Sequence, residues 1–235
     1  MKFENTQVFN FQGALRGMRN PKESWDKSDS LFQFRPLFQD EKDNAQLMCC
    51  CEIGKNDLKL AQSLIKAGSE HRKFMRQIFV TVDITAPLYW WKEFDTYKVG
   101  TVSNSCSTMH KLADTPITKD CFEIDDFENI HIDKTLMNNK IDHNGMWFIL
   151  INYLEELRQK YNETKDIHYW KELIRLLPES WLQKRTVTMD YENLLAMCSK
   201  GQRRFHKLTE WSKSFIDWAR SLPYAQELIF LDETL

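Results

Sequence analysis

Adjacent arginines at positions 203 and 204, with Lys200, Lys207 and His206 around them, form the strongest candidate anion site in the chain. A planar guanidinium matches the oxygens of a phosphate or carboxylate, which is the chemistry such a group would do. Neighbouring residues on a helix point in different directions, so one arginine is expected to turn inward; the alternative is that both sit on a wet surface. A second chemistry-bearing stretch is Thr101-Val102-Ser103-Asn104-Ser105-Cys106-Ser107-Thr108. Its short hydroxyl, amide and thiol side chains serve either backbone amides, as a capped turn, or the oxygens of a ligand. His71 either binds a cofactor or caps a helix. Arg16, Arg19 and Lys22, set among Gly and Pro, either reach a phosphate or form a solvated surface.

Several chemistries are excluded by what does not occur. There is no Walker A or GxGxxG phosphate loop, no HExxH, no GxSxG and no kinase signature, so familiar nucleophilic or metal-hydrolase machinery is not expected. Asp125, Asp126 and Glu128 lack the spacing of a calcium loop and read as a solvated connection. Six cysteines, three of them consecutive at Cys49, Cys50 and Cys51, suit neither a disulfide framework nor paired CxxC ligands, which predicts reduced thiols and no metal. A net charge of -2, from 32 Lys and Arg against 34 Asp and Glu, gives no general pull toward nucleic acid or an anionic membrane. The N-terminal MKFENTQVFNFQG has no apolar targeting core and no run approaches a membrane span, so a cytoplasmic protein is expected.

The elements that must position these residues follow from periodicity. From Ile78 to Ala86, Phe79, Thr81 and Asp83 alternate with Val80, Val82 and Ile84, the period of a half-buried strand. Pro87 ends it and suits the first turn of a helix over Leu88–Tyr97 that carries Trp90, Trp91 and Phe94 and fails near Gly100. Asn56 and Asp57 are N-cap candidates for a helix with Leu58, Ala61, Leu64 and Ile65 on one face and Gly68 as its stop. The segment from Leu31 reads as a loop, and Met48 to Ile53 as a small-residue strand or buried turn. Gly145 to Asn162 predicts an amphipathic helix with Met146, Ile149, Leu150, Tyr153, Leu154 and Leu157 recurring at the helical period. A second helix from Asp166 closes at Leu177-Pro178, and the pair forms core or lines a subunit interface. Leu182 to Met189 alternates like a strand, after which Asp190 caps a helix running to Phe205. Leu208, Trp211, Phe215, Trp218 and Leu222 make one apolar stripe, again core or partner surface. With no repeat, no Gly/Ser linker and only seven glycines, a single domain over residues 1–235 is expected.

Taken in order, these segments resemble the flavin-dependent thymidylate synthase family. The stretch from Leu60 to Leu112 has the order and length of the family's helix, Gly-His segment, strand and Arg-His-Arg-x-x-Ser-x-Asn-x-x-Ser-x-Arg-Tyr signature, which falls on Thr96, Tyr97, Lys98, Thr101, Ser103, Cys106, Thr108 and Met109. Leu177-Pro178, then Thr188-Met189-Asp190, reproduces the family's Leu-Pro and Thr-hydrophobic-Asn spacing. Arg203 or Arg204, His206 and Glu210 resemble the closing arginine, histidine and glutamate of its last nucleotide-binding segment. Of the signature's cations only Lys98 remains, the Gly-His segment reads Gly68-Ser69 with His71 two places on, and Arg175 stands one position from the arginine that precedes the family's Leu-Pro.

The resemblance implies an α+β fold, helix-rich with a small central sheet, and reductive methylation of dUMP at uracil C5. It implies FAD held by His71, Tyr97, Lys98, Asn104, Asp190 and His206, with NADPH and methylenetetrahydrofolate as cosubstrates. Cys106, Ser107, Thr108 and Arg175 would contact the pyrimidine nucleotide, and Arg203 or Arg204 would polarise it as the catalytic group. No protein nucleophile attacks the base in the family, and Cys106 stands where it has a ligand-orienting serine. A homo-oligomer, tetrameric by resemblance, follows. The alternatives are a catalytically inactive homo-oligomer that binds a nucleotide or a partner on this fold, and a related flavin enzyme with a changed pyrimidine substrate.

Overall fold

The computed structural model describes residues 1–36, 47–124, 134–136, 139–199, 201 and 206–233. In chain order, strand β1 (Lys2–Phe9) leads into helix α1 (Phe11–Arg19), and the hairpin strands β2 (Leu31–Pro36) and β3 (Leu47–Glu52) precede α2 (Lys55–Ala67). Next come β4 (Phe79–Pro87), α3 (Leu88–Phe94), β5 (Val102–Ser105) and the short α4 (Thr108–Lys111). The hairpin β6 (Lys134–Leu136) and β7 (Asn139–Ile141) opens the helical pair α5 (His143–Thr164) and α6 (Ile167–Leu176). The chain closes with β8 (Leu182–Asp190), α7 (Tyr191–Met197), a π-helical segment Glu210–Phe215, α8 (Ile216–Arg220) and α9 (Ala225–Leu228).

Among the described residues, a four-stranded sheet in the order β1-β4-β8-β5 and the antiparallel hairpins β2-β3 and β6-β7 make up the strands. Along β4 and β8, Thr81 Oγ1 meets Thr188 Oγ1 at 3.0 Å and Thr186 Oγ1 donates to Asp83 at 2.6 Å. Partner numbers fall on β8 as they rise on β4, so the pair is antiparallel. The alternation expected for β4 is present: Val80, Val82 and Ile84 are fully buried while Thr81 and Asp83 are half-buried and Phe79 is exposed.

The chain divides into two compact units, the first built from Met1–Glu4, Asp83–Thr96 and Ser103–Thr186. Its core joins Leu112, Ile117 and Phe122 to Leu154 and Leu157 of α5 and Leu173 of α6, with Trp147 and Trp181 packed around them. Asp142 caps α5 by accepting from Gly145 N–H at 2.7 Å, and Asp166 caps α6 by accepting from His168 N–H at 2.9 Å. The stripe expected on α5 splits: Leu154 and Leu157 are core, whereas Met146, Ile149 and Tyr153 stay 43%, 49% and 46% exposed. Trp90, Trp91 and Phe94 are buried as expected, with Trp90 stacked on Phe94 at 5.2 Å. Helix α3 nonetheless stops at Phe94 rather than Tyr97, because Thr96 turns both its N–H and its hydroxyl onto Glu93 O, at 3.1 and 2.8 Å.

The second unit comprises Asn5–Val82, Tyr97–Val102 and Val187–Leu235. Phe11, Ala14, Leu15 and Met18 form the buried face of α1, and Phe11 meets the rings of Tyr191 and Tyr224 edge-on at 5.6 and 5.8 Å. Three local expectations change here. Helix α2 begins at Lys55, and the carboxylate of Asp29, not Asn56 or Asp57, accepts the N–H groups of Asn56 and Asp57 at 2.9 and 3.1 Å. Arg19 is neither a phosphate ligand nor wet surface: it is buried in an ion pair with Asp57 at 2.5 Å. The segment from Leu31 is strand β2 because β3 supplies its ladder, Leu31 opposite Glu52. Trp211, Phe215, Trp218 and Leu222 are buried, so that stripe is core. Helix α7 ends at Met197, and residues 202–205, which hold Arg203 and Arg204, lie outside the described residues, as does the acidic 125–133 segment. No helix among the described residues is long and apolar enough to cross a membrane.

Candidate functional site

In the first unit the polar stretch becomes the wall of a cavity. Val102 to Ser105, read as loop, instead forms the edge strand β5, and Cys106 N–H donates to Lys184 O of β8 at 2.9 Å. From the far side, the side-chain amide of Gln183 donates to Cys106 O and to Thr108 Oγ1, both at 3.1 Å. The same amide oxygen accepts from Arg185 Nε at 2.9 Å, which fixes its orientation. Arg185 is set in turn by Asp95, whose carboxylate takes Nη1 at 2.9 Å, and by the ring of Trp91, 4.2 Å below the guanidinium. Trp91 Nε1–H closes the arrangement by donating to Gln183 O at 3.0 Å. The tryptophan-rich helix thus holds the polar stretch through one arginine and one glutamine.

The cavity measures about 530 Å³. Cys106, Ser107, Thr108, Lys111, Gln183 and Lys184 lie along it, with Lys2 and Glu4 from β1 and the second thiol of Cys121. Lys184 bonds Glu4 at 3.1 Å and lies 3.4 Å from Asp83, and these carboxylates hold its ammonium above the usual lysine range. Asp114, 2.8 Å from Lys111, does the same for that ammonium and is itself held low in return. Among the described residues, the cysteines Cys51, Cys106, Cys121 and Cys198 are thiols, and no group of His, Cys, Asp and Glu is placed to hold a metal.

The second unit gathers a different set. Tyr97 stacks on Trp211 at 5.7 Å, and burial, followed by the neighbouring Cys198, pushes its phenol up to about 12. His206 lies 5.9 Å from the same indole, with Nδ1 accepting from Leu208 N–H at 3.1 Å. Asp190 and Asn193 form a reciprocal capping box at the start of α7. Burial raises the Asp190 carboxyl against the opposing pull of the Asn193 and Glu192 amides. Asn193 Nδ2 also donates to Val99 O at 2.7 Å, tying the cap to the turn at Gly100. Arg72 and Arg76 both close on Glu192, beside the exposed His71.

The structure therefore brings Cys106, Ser107 and Thr108 onto one cavity, and Tyr97 and His206 onto one indole. It leaves Asn104 and Lys98 exposed, and places Arg175 on the outer face of α6, 3.3 Å from Glu172. Lys2, Lys111, Gln183 and Lys184 escaped the sequence reading. Gln183 carried one usable signal, its i, i+2 relation to Arg185 on a predicted strand, which puts both on the same face.

No protein-family model matches the sequence, and no curated protein matches it. Solved structures do. The structure of ThyX from Helicobacter pylori, a flavin dependent thymidylate synthase complexed with FAD and dUMP, aligns over 99% of this chain and 99% of its own, with a TM-score of 0.64 and 14% identity. The fold is that of a flavin-dependent thymidylate synthase. A second structure of Helicobacter pylori ThyX with FAD and dUMP covers 99% of this chain and 98% of its own, at a TM-score of 0.61 and 13% identity. The thymidylate synthase fold accordingly extends over the whole chain, with its small antiparallel sheet and surrounding helices.

Proposed function

We propose that this chain is an enzyme of pyrimidine nucleotides that transfers a one-carbon group to uracil C5, with dUMP as the substrate. The observation that carries the reading is the cavity walled by Cys106, Ser107 and Thr108, the segment on which the family signature falls, in a chain whose fold matches proteins crystallised with dUMP along its full length. The hydroxyls of Ser107 and Thr108 and the ammonium group of Lys2 suit a phosphate and a carbonyl-rich base, and Lys111 and Lys184 join them where the ligand displaces Asp114 and Glu4. Methylenetetrahydrofolate is the one-carbon donor in this reading.

FAD would supply reducing electrons to the full reductive methylation, with NADPH recharging it. The described residues at the signature positions do not fit its phosphates. Tyr97 is turned inward on Trp211, Asp190 is spent on a helix cap, Thr96 is exposed, and Lys98 is a point charge without a bidentate fork. Each charge-assisted contact missing from such a site costs about 1.5 to 3 kcal/mol, enough to weaken binding by orders of magnitude when several are gone. One-carbon transfer independent of flavin is therefore the form of the reaction proposed here; with no reductant taking part, the unit stays at the formaldehyde level, and water releases tetrahydrofolate to leave a hydroxymethyl group on C5.

Tritium release from [5-³H]dUMP, followed with methylenetetrahydrofolate in the presence and absence of FAD and NADPH, tests this. Release without FAD is the expected result; release only with FAD restores the complete flavin-dependent reaction. A second reading, a nucleotide-binding homo-oligomer without turnover, is favoured by the carboxylates that already neutralise Lys111 and Lys184. It predicts calorimetric binding of dUMP with no release under any condition.

A further inference from the structure

We infer that Thr108 sets the base specificity of this cavity: its hydroxyl donates to the C4 carbonyl oxygen of a uracil nucleotide and disfavours cytosine, with Gln183 as the positioning residue. The inference rests on reading the cavity as the nucleotide site, and adds the group that tells one pyrimidine from another. The direction of each hydrogen bond leading to Thr108 is fixed. The Asp95 carboxylate accepts from Arg185 Nη1 at 2.9 and 3.2 Å. Arg185 can only donate, so the atom that meets its Nε at 2.9 Å is the Gln183 amide oxygen. The amide nitrogen of Gln183 therefore faces the other way. Its two hydrogens go to Cys106 O, a carbonyl that can only accept, and to Thr108 Oγ1, each at 3.1 Å. With a pure donor at one end and a pure acceptor at the other, the amide has no flipped alternative.

Thr108 Oγ1 is thus an acceptor toward the protein, and among the described residues nothing takes its hydroxyl hydrogen in return. Thr108 is half-buried on the cavity wall, so that hydrogen is what the wall presents to a ligand. Accepting a bond strengthens a hydroxyl as a donor, because each bond in a chain polarises the next. The C4 substituent is where the two pyrimidines differ: the carbonyl oxygen of uracil accepts, whereas the amino group of cytosine donates. Against uracil O4 the Thr108 hydrogen is satisfied. Against the cytosine amino group two donors meet, and a donor taken from water without an acceptor is costly. Trp91 holds the arrangement from behind, with its ring 4.2 Å from the Arg185 guanidinium and its Nε1–H donating to Gln183 O at 3.0 Å. The discrimination draws on no lysine of the cavity, since Lys111 and Lys184 are held by carboxylates.

Calorimetry of the full chain with dUMP, dCMP and 4-thio-dUMP tests this, the last keeping the shape of dUMP with a poorer acceptor at C4. The wild type is expected to bind dUMP about thirtyfold tighter than dCMP, with 4-thio-dUMP between them. Thr108→Val, close in shape but without the hydroxyl, is expected to bring dUMP and dCMP within about threefold of each other, and Thr108→Ser to restore the preference. Gln183→Glu replaces the donor beside Thr108 with an acceptor and draws the hydroxyl hydrogen inward. It is expected to shift the preference toward dCMP, which loss of packing alone would not do; an unchanged preference overturns the positioning role. Equal wild-type affinity for dUMP and dCMP, 4-thio-dUMP binding as tightly as dUMP, or a preference that survives in Thr108→Val overturns the inference and leaves the nucleotide reading in place. A wild type that binds none of the three overturns both. The three ligands are compared on the wild type, so the result stands even where a variant fails to fold.

Discussion

Asp57 is fully buried, and burial alone would push its carboxyl up; hydrogen bonds from Ser28 and Ser30 and the Arg19 guanidinium outweigh that and hold it below the usual carboxylate range. Its stabilising contribution is therefore complete above the unfolded value of about 3.9 and is lost as pH falls through the lower folded value. Asp57→Asn leaves Arg19 buried without its counter-charge, and the expected loss of about 3 to 5 kcal/mol is measured by chemical denaturation at pH 7. Arg185 works at the same scale but toward the site, because its fork reaches Gln183 and Asp95 together. Arg185→Lys keeps the charge and gives up that geometry. With about 1.4 kcal/mol of positioning lost, dUMP affinity is expected to fall about tenfold in calorimetry while the unfolding transition moves little.

Among the elements, the turn at Gly100 and helix α7 act as one piece. Gly100 has a φ of 81°, and a Cβ there would lie 2.9 Å from both Asp190 Oδ2 and Asn193 Oδ1 of the capping box. Gly68 has a φ of 108° with open space around it. Gly100→Ala is thus expected to destabilise by about 1 to 3 kcal/mol, and by more than Gly68→Ala, in paired thermal melts. Helix α5 is stitched to the 113–117 turn by polar groups: Glu155 accepts from Ile117 N–H at 2.8 Å, and Arg158 Nη1 donates to Ala113 O at 3.0 Å. The Arg158 guanidinium first, then the Ile117 amide and Gln159, offset the effect of burial and hold Glu155 down to about 2. A depressed carboxyl stabilises above its unfolded value, so the contribution is present above about pH 4.3 and fades toward pH 2. Glu155→Gln is expected to cost about 2 kcal/mol at pH 7, with the gap from wild type closing in denaturation curves taken toward pH 2.

At the level of the molecule, the chain has the fold of a flavin-dependent thymidylate synthase, whereas Thr96, Tyr97 and Lys98 stand where the resemblance sets the Arg-His-Arg of that family's signature. Met146, Ile149 and Tyr153 recur on one exposed face of α5, an apolar stripe that a solitary chain would leave in water. Sedimentation is expected to give a homo-oligomer, and Ile149→Asp a smaller species. Much of this architecture was readable in advance from neighbours in sequence. The β4 alternation, the buried face of Trp90, Trp91 and Phe94, the Asp190 cap and the stop of α6 before Pro178 are set by interactions reaching two to four residues, which the order of residues itself encodes. Cys106, Ser107 and Thr108 reach one cavity wall together because adjacent residues in one short stretch travel together. Partners were a different matter. Arg19 found Asp57 38 positions away, Arg185 found Asp95 90 positions away, and Asp29 took over a helix cap 27 positions on. A buried charge pairs with whatever group packing brings to it, and which strand faces give Gln183 and Lys184 to the cavity depends on how β8 and β5 meet. Those choices belong to long-range burial and hydrogen bonding, so they are fixed in the folded chain, and apart from the i, i+2 spacing of Gln183 and Arg185 they leave no local mark in the residues that make them.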